Sequence, residues 1–251
     1  MTPPPTVLHW PGGGSWDPSQ LADLLAWWKF DELTGTNGSS ITSVTDSGGS
    51  FDLSGSSPAP TLVTPSQNGL NTIDFGPSSA NLNSSSAYGG GDDGFSVYVV
   101  AKRGNAAVNQ HVSGGSGSGH LLGSNSSASV WVRAYKSDGS RYEKTNVGGW
   151  SGGWDIVGFS ADFVAGTFDV YQDGSSIDSQ TGLATGTSQT HTFLIGTFGG
   201  AGHWQGELGE ELIVNNALST TDREKIEGYL AHKWGLTANL PVSHPYKSTA
   251  P

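Results

Sequence analysis

Two groups of side chains in this 251-residue sequence invite a chemical reading: carboxylates at two-residue spacing, and aromatic rings set among turn-forming residues. The carboxylates lie in Glu207-Leu208-Gly209-Glu210-Glu211. On a flat strand successive side chains alternate, so Glu207, Gly209 and Glu211 are expected on one face. Two acids sharing a face suit glycoside hydrolysis, in which a retaining mechanism needs carboxyls about 5–5.5 Å apart. Residues i and i+4 of a strand are roughly 13 Å apart at Cα. The segment therefore reads as an ordinary strand of a binding module, and no catalytic residue is assigned.

The aromatic candidates for ligand binding are Trp131, Tyr135, Tyr142, Trp150 and Trp204. Sugar recognition uses flat apolar faces on which a pyranose stacks, bordered by groups that hydrogen-bond its hydroxyls. Trp150 stands in Gly148-Gly149-Trp150-Ser151-Gly152-Gly153, where flanking glycines give the ring little local cover. The competing reading for each ring is core packing, the usual place of an aromatic. Trp154 and Trp234 are assigned to structure.

Metal and nucleophile chemistries find less support. Asp92, Asp93, Asp138 and Asp173 are of the type that ligates calcium, but none has the spacing of an EF-hand loop. Asp138-Gly139 and Asp173-Gly174 are explained by hairpin turns alone. No metal or cofactor is assigned, calcium being the candidate left open. The seven histidines contain no His-x-x-x-His pair. The absence of cysteine excludes disulfides and thiolate sites. Glycine-rich 114–119 lacks the Lys-Ser/Thr of a phosphate loop.

The elements that must position these residues are mostly strands. Thirty-eight glycines, only 13% charged residues and nine tryptophans describe many short strands, tight turns and enough apolar material for a core. Strands are expected at about 26–30, 69–75, 94–102, 128–135, 141–146, 154–162, 166–172 and 192–196, with a long loop over 104–127. In 94–102 the residues Phe95, Val97, Val99 and Ala101 share a face. At 26–30, Trp28 and Phe30 are expected inward, Trp27 and Lys29 outward. Asp17-Pro18 predicts a short helix running to about residue 25. Residues 219–233 predict a helix, capped by Ser219 or Thr220, with Ile226, Tyr229, Leu230 and Lys233 on its packing face. Residues 1–17 read as a Pro/Gly-rich arm carrying Trp10 and Trp16, residues 18–251 as one domain with an extended tail after the helix.

The formal net charge of −11 repels phosphate backbones and anionic headgroups, so neither nucleic acid nor a membrane surface is an expected partner. No apolar run of about 18 residues exists to span a bilayer. The opening residues lack the basic and apolar regions of a secretory signal, which favours a route to the exterior such as cell lysis.

Several stretches resemble concanavalin A-like and laminin-G-like domains. Trp154-Asp155-Ile156-Val157-Gly158 and Phe168-Asp169-Val170-Tyr171-Gln172-Asp173-Gly174 resemble their central hairpin. Ile213-Val214-Asn215-Asn216-Ala217-Leu218-Ser219, then Glu227-Gly228-Tyr229-Leu230-Ala231-His232-Lys233-Trp234-Gly235 and Leu240-Pro241-Val242-Ser243-His244-Pro245-Tyr246, resemble the terminus of bacterial and bacteriophage members. The resemblance implies an all-β jelly-roll sandwich of two antiparallel sheets with one C-terminal helix packed on it. It also implies glycan binding or adhesion, without transferring a ligand site. Laminarinase-type hydrolases share this fold and carry Glu-x-Asp-x-Glu, where this sequence has Gly209 in the middle. The reading is a non-catalytic carbohydrate-recognising module outside the cell, on a phage virion or bacterial surface, with a surface glycan or polysaccharide as partner. The alternative is a structural decoration or fibre protein anchored to a capsid or fibre through residues 1–17.

Overall fold

The computed structural model describes residues 16–76, 79–104, 107–117 and 119–251. The arm expected at 1–17 lies outside them except for Trp16 and Asp17, and so does its anchoring role. The strands are β1 (Leu24–Lys29), β2 (Ser43–Val44), β3 (Leu53–Gly55), β4 (Thr61–Val63), β5 (Thr72–Asp74) and β6 (Leu82–Tyr88). Next come β7 (Gly94–Arg103), β8 (Gln110–Gly115), β9 (His120–Ser124), β10 (Val130–Tyr135) and β11 (Arg141–Val147). The last are β12 (Trp154–Asp162), β13 (Thr167–Gln172), β14 (Ser175–Gln180), β15 (His191–Ile195) and β16 (Gly206–Val214), before helix α1 (Thr220–Lys233). Among the described residues they form two antiparallel sheets of eight strands. One runs β14-β13-β12-β7-β16-β5-β4 with β1 also paired to β16, the other β11-β10-β9-β8-β15-β6-β3-β2.

Two apolar layers hold this sandwich. Phe95, Val97, Val99 and Ala101 of β7 alternate into the space between the sheets, where they meet Trp28, Phe159, Phe193 and Ile213. The intervening Tyr98 and Val100 face the other way, into a second layer with Trp27, Leu212, Ile226, Leu230 and Trp234 beneath α1. A strand covered on both sides cannot show the half-polar alternation of a surface strand. That is why Trp27, expected outward, is 6% exposed.

Helix α1 begins and ends as its sequence signals predict. Ser219 Oγ accepts from Asp222 N at 3.1 Å, Gly235 takes φ +68°, and Leu236 N donates to Ala231 O across the terminus. Beneath it the buried carboxylate of Glu210 accepts from Trp27 Nε1 (2.5 Å), Trp234 Nε1 (2.8 Å), Tyr229 OH (3.2 Å) and Lys233 Nζ (2.9 Å). Four donors converging on one carboxylate tie the helix to β1 and β16. The tail makes turns instead of running extended, because Lys247 Nζ donates to the carbonyls of Thr237, Ala238 and Leu240.

Other expectations need correction. Asp17 caps only a 3₁₀ turn at Pro18–Gln20, and the chain enters β1 at Leu24. The loop expected at 104–127 contains β8 and β9, whose residues are all buried. Glycine occurs there because the strands are tightly covered: a Cβ on Gly123 would lie 2.2 Å from Gln110 O, and one on Gly114 2.7 Å from Thr197 O. Asp173-Gly174 forms the expected two-residue hairpin turn, both residues at positive φ. At Asp138-Gly139 only Gly139 is left-handed, since Lys136 N pairs with Ser140 O around a three-residue loop.

Candidate functional site

Helix and tail cover the outer face of the first sheet, whereas β10 and β11 of the second present side chains outward. Strand β10 alternates cleanly: Val130, Val132 and Ala134 are buried, while Trp131, Arg133 and Tyr135 are half-buried on the outer face. Register sets Arg133 opposite Glu143 and Tyr135 opposite Arg141 on β11. Glu143 Oε1 accepts from Trp131 Nε1 (2.9 Å) and Arg133 Nε (2.7 Å), and Oε2 from Arg141 Nε (2.8 Å). Burial alone would raise the Glu143 pKa, but the hydrogen bonds from Trp131, Arg133 and Arg141 outweigh it and hold the carboxyl below its ordinary value. The Arg133 guanidinium also lies 4.4 Å from the Trp131 ring centre, and that of Arg141 5.6 Å from Tyr135.

The segment between β15 and β16 completes this platform. Phe198 stacks on Tyr135 with centroids 6.1 Å apart and planes 17° from parallel, and meets His111 at 5.8 Å. His111 in turn meets the Trp131 ring edge-on at 5.4 Å. Its Nδ1 carries the proton, because the Ala201 carbonyl 3.0 Å away can only accept. Burial pushes its pKa down to about 4, so the ring is neutral near pH 7. Gly202, at φ +63°, lets the segment lie against His111; a Cβ there would fall 2.3 Å from the imidazole. The outcome is a row of rings, Trp131, His111, Phe198 and Tyr135, bordering a fixed cluster of two guanidiniums and one carboxylate.

Two of the five aromatics singled out in the sequence, Trp131 and Tyr135, are thus brought together. The other three sit in the core. Trp204 is fully buried, and Trp150 packs on it at 5.0 Å and donates to Gly123 O. Tyr142 packs between Phe163 and Phe168 and donates to Ala184 O. The glycines beside Trp150 give no cover, but partners distant in sequence do. Arg133, Arg141, Glu143, His111 and Phe198 were not singled out; the outward set Trp131-x-Arg133-x-Tyr135 was their one readable signal. Neither the pocket around Glu207 (about 220 Å³) nor the depression between Ser137 and Thr187 (about 420 Å³) carries an aromatic ring on which a sugar could stack.

The carboxylates of β16 do not share a face. Pairing with β7 shifts between Leu208 and Glu210, making Gly209 the extra residue of a bulge. Glu207 therefore meets Ser66, Thr72 and Lys102 on one side, while Glu211 points between the sheets. There Glu211 Oε1 lies 2.5 Å from Ser113 Oγ, which lies 2.6 Å from His120 Nε2. His120 Nδ1 lies 3.3 Å from His191 Nε2, and His191 Nδ1 2.9 Å from Gln189 O. The Gln189 carbonyl only accepts, so with neutral imidazoles each proton points toward it and the chain must begin with a protonated Glu211. Burial raises the Glu211 pKa from 4.5 to about 8, and the hydrogen bond that Ser113 Oγ can donate to the ionised form opposes the rise. Of the calcium candidates, Asp92 accepts from Tyr88 OH, Asp138 from Ser140 N and Asp173 from Ile156 N. Among the described residues no three His, Asp or Glu side chains converge as a metal site.

No family model and no curated protein matches the sequence. Solved structures do share its fold. Domain 4 of AbnA, an extracellular arabinanase from Geobacillus stearothermophilus in complex with arabinotriose, aligns over 79% of this chain and 95% of its own at 18% identity, TM-score 0.54. The ligand-binding domain of botulinum neurotoxin serotype D, in complex with N-acetylneuraminic acid, aligns over 82% of this chain at 12% identity, TM-score 0.60. The binding domain of Paraclostridial Mosquitocidal Protein 1 aligns over 82% at 12% identity, TM-score 0.57. This chain spans about half the length of those two toxin domains. At such identities the likeness is one of fold, and the fold is a two-sheet antiparallel β-sandwich.

Proposed function

We propose that this chain is a non-catalytic carbohydrate-recognition module that holds a glycan on the outer face of its second sheet, across Trp131, Tyr135 and Phe198. The observation that carries the reading is the platform itself: half-buried rings fixed from both sides and bordered by guanidinium donors. Rings so held lose little freedom when a sugar stacks on them. Binding rather than catalysis is supported by β16, whose Glu207 and Glu211 lie on opposite faces of the sheet. The sugar ligands in two of the similar structures point the same way. The resemblance of residues 213–246 to bacteriophage modules supports display on a virion or bacterial surface, with a surface polysaccharide as partner.

The test is binding of the purified protein to an array of bacterial and plant glycans. Trp131→Ala and Tyr135→Ala are expected to weaken the best ligand about fivefold each, the scale of a lost ring contact of about 1 kcal/mol, with melting unchanged. Wild-type binding in both variants, or no glycan bound at all, would refute the site.

A further inference from the structure

The polar groups of the platform are asymmetric in what they still offer. Glu143 is saturated: Oε1 receives Trp131 Nε1 and Arg133 Nε, and Oε2 receives Arg141 Nε and Nη2. It has no free lone pair in a good direction for a sugar hydroxyl. Arg133 gives Glu143 only its Nε, so both terminal nitrogens of its guanidinium remain unspent, and the side chain is 17% exposed. Arg141, 42% exposed, spends Nε and Nη2 on Glu143 and has Tyr135 as a further hydrogen-bond partner. Two guanidiniums against one carboxylate leave a local charge of +1 in a protein whose net charge is −11. Trp131 and Glu143 fix the Arg133 fork in place, one by stacking and the other by a charge-assisted hydrogen bond. A fixed fork of free N–H donors matches a planar two-oxygen acceptor.

We propose that the ligand of this face is an acidic glycan, whose sugar carboxylate is received by the Arg133 guanidinium while the pyranose stacks on the neighbouring rings. The proposal rests on the carbohydrate reading above and deepens it. Glu143 is then a positioning residue: it aims the two arginines and stays ionised because they and Trp131 hold it so. The charge against the protein's overall field makes the interaction short-ranged and sensitive to salt.

Matched acidic and neutral probes separate this inference from the reading beneath it. The probes are polygalacturonate against its carboxyl-reduced galactan, and sialyllactose against lactose, measured by calorimetry with the full chain. One acidic probe is expected to bind at least tenfold better than its neutral partner, and less tightly as sodium chloride rises; which pair responds tells hexuronate from nonulosonate. Arg133→Gln is expected to erase the acidic preference, and Arg133→Lys, which keeps the charge but not the fork, to lose at least tenfold, with melting curves confirming that both variants fold. Equal binding of acidic and neutral probes, weakened by Tyr135→Ala but not by Arg133→Gln, overturns the acidic ligand and leaves carbohydrate recognition standing. Failure of every probe to bind overturns both.

Discussion

Replacing Glu211 by Gln should make this protein more stable in alkali, and the structure says by how much. The carboxyl is fully buried, and burial raises its pKa from 4.5 to about 8. In the unfolded chain it ionises near 4.5, so between those two values the folded protein keeps a proton that the unfolded one has released. Stability linked to Glu211 is therefore complete below about pH 4.5, is lost as pH rises toward about 8, and is flat above. At about 1.4 kcal/mol per pH unit the loss is on the order of 5 kcal/mol. Glutamine avoids it, because its amide donates to Ser113 Oγ as the protonated acid does. His120 and His191 slope the other way: burial lowers both, His191 to about 4, so they remove stability as pH falls below 6.5. Subtracting wild type from variant cancels them. Urea unfolding from pH 5 to 9 should show the variant's advantage growing with pH and levelling off above 8. A difference that is flat or shrinks over that range would refute the proton assignment.

Three further outcomes follow from buried contacts. Glu210→Ala removes the acceptor shared by Trp27, Tyr229, Trp234 and Lys233, and should cost about 3–5 kcal/mol in urea unfolding, as for breaking a buried ion pair. Trp150→Ala should lower stability by about 3–5 kcal/mol, the mark of a core ring rather than a ligand contact. Trp16→Ala removes an edge-on contact with Tyr229 at 6.4 Å and should cost about 1 kcal/mol, read as a small drop in melting temperature.

What the sequence made legible was local. Capping by Ser219, the glycine after Trp234 and the paired left-handed residues Asp173-Gly174 each act within a few positions, so their signals are contiguous. The alternation of Phe95 to Ala101 was readable for the same reason. Strands β8 and β9 were not, because their glycines answer to Thr197, Gln110 and His191, which are distant in sequence. The outward placement expected for Trp27 failed once α1, far along the chain, covered that face. At the aromatic platform Trp131 and Tyr135 announced themselves as rings, whereas Arg133 gained its place only from standing opposite Glu143 in the sheet register. Phe198 and His111 arrived from two other segments.

The bulge at Gly209 has a consequence for every residue after it in β16. A strand behaves as a two-phase signal, and one extra residue advances it by half a period. Downstream of Gly209 the phase is inverted, which is what sends Glu210 and Leu212 beneath the helix and Glu211 and Ile213 between the sheets. Were all nine residues Gly206–Val214 paired without the bulge, the strand would keep its original phase and exchange those audiences. Glu210 would be delivered to the apolar interior, and Ile213 to the underside of the helix. The glycine is thus a timing mark as much as a space-saver: with a Cβ it would press on the Trp234 ring at 2.7 Å, so the residue that sets the phase is also the one over which the indole lies.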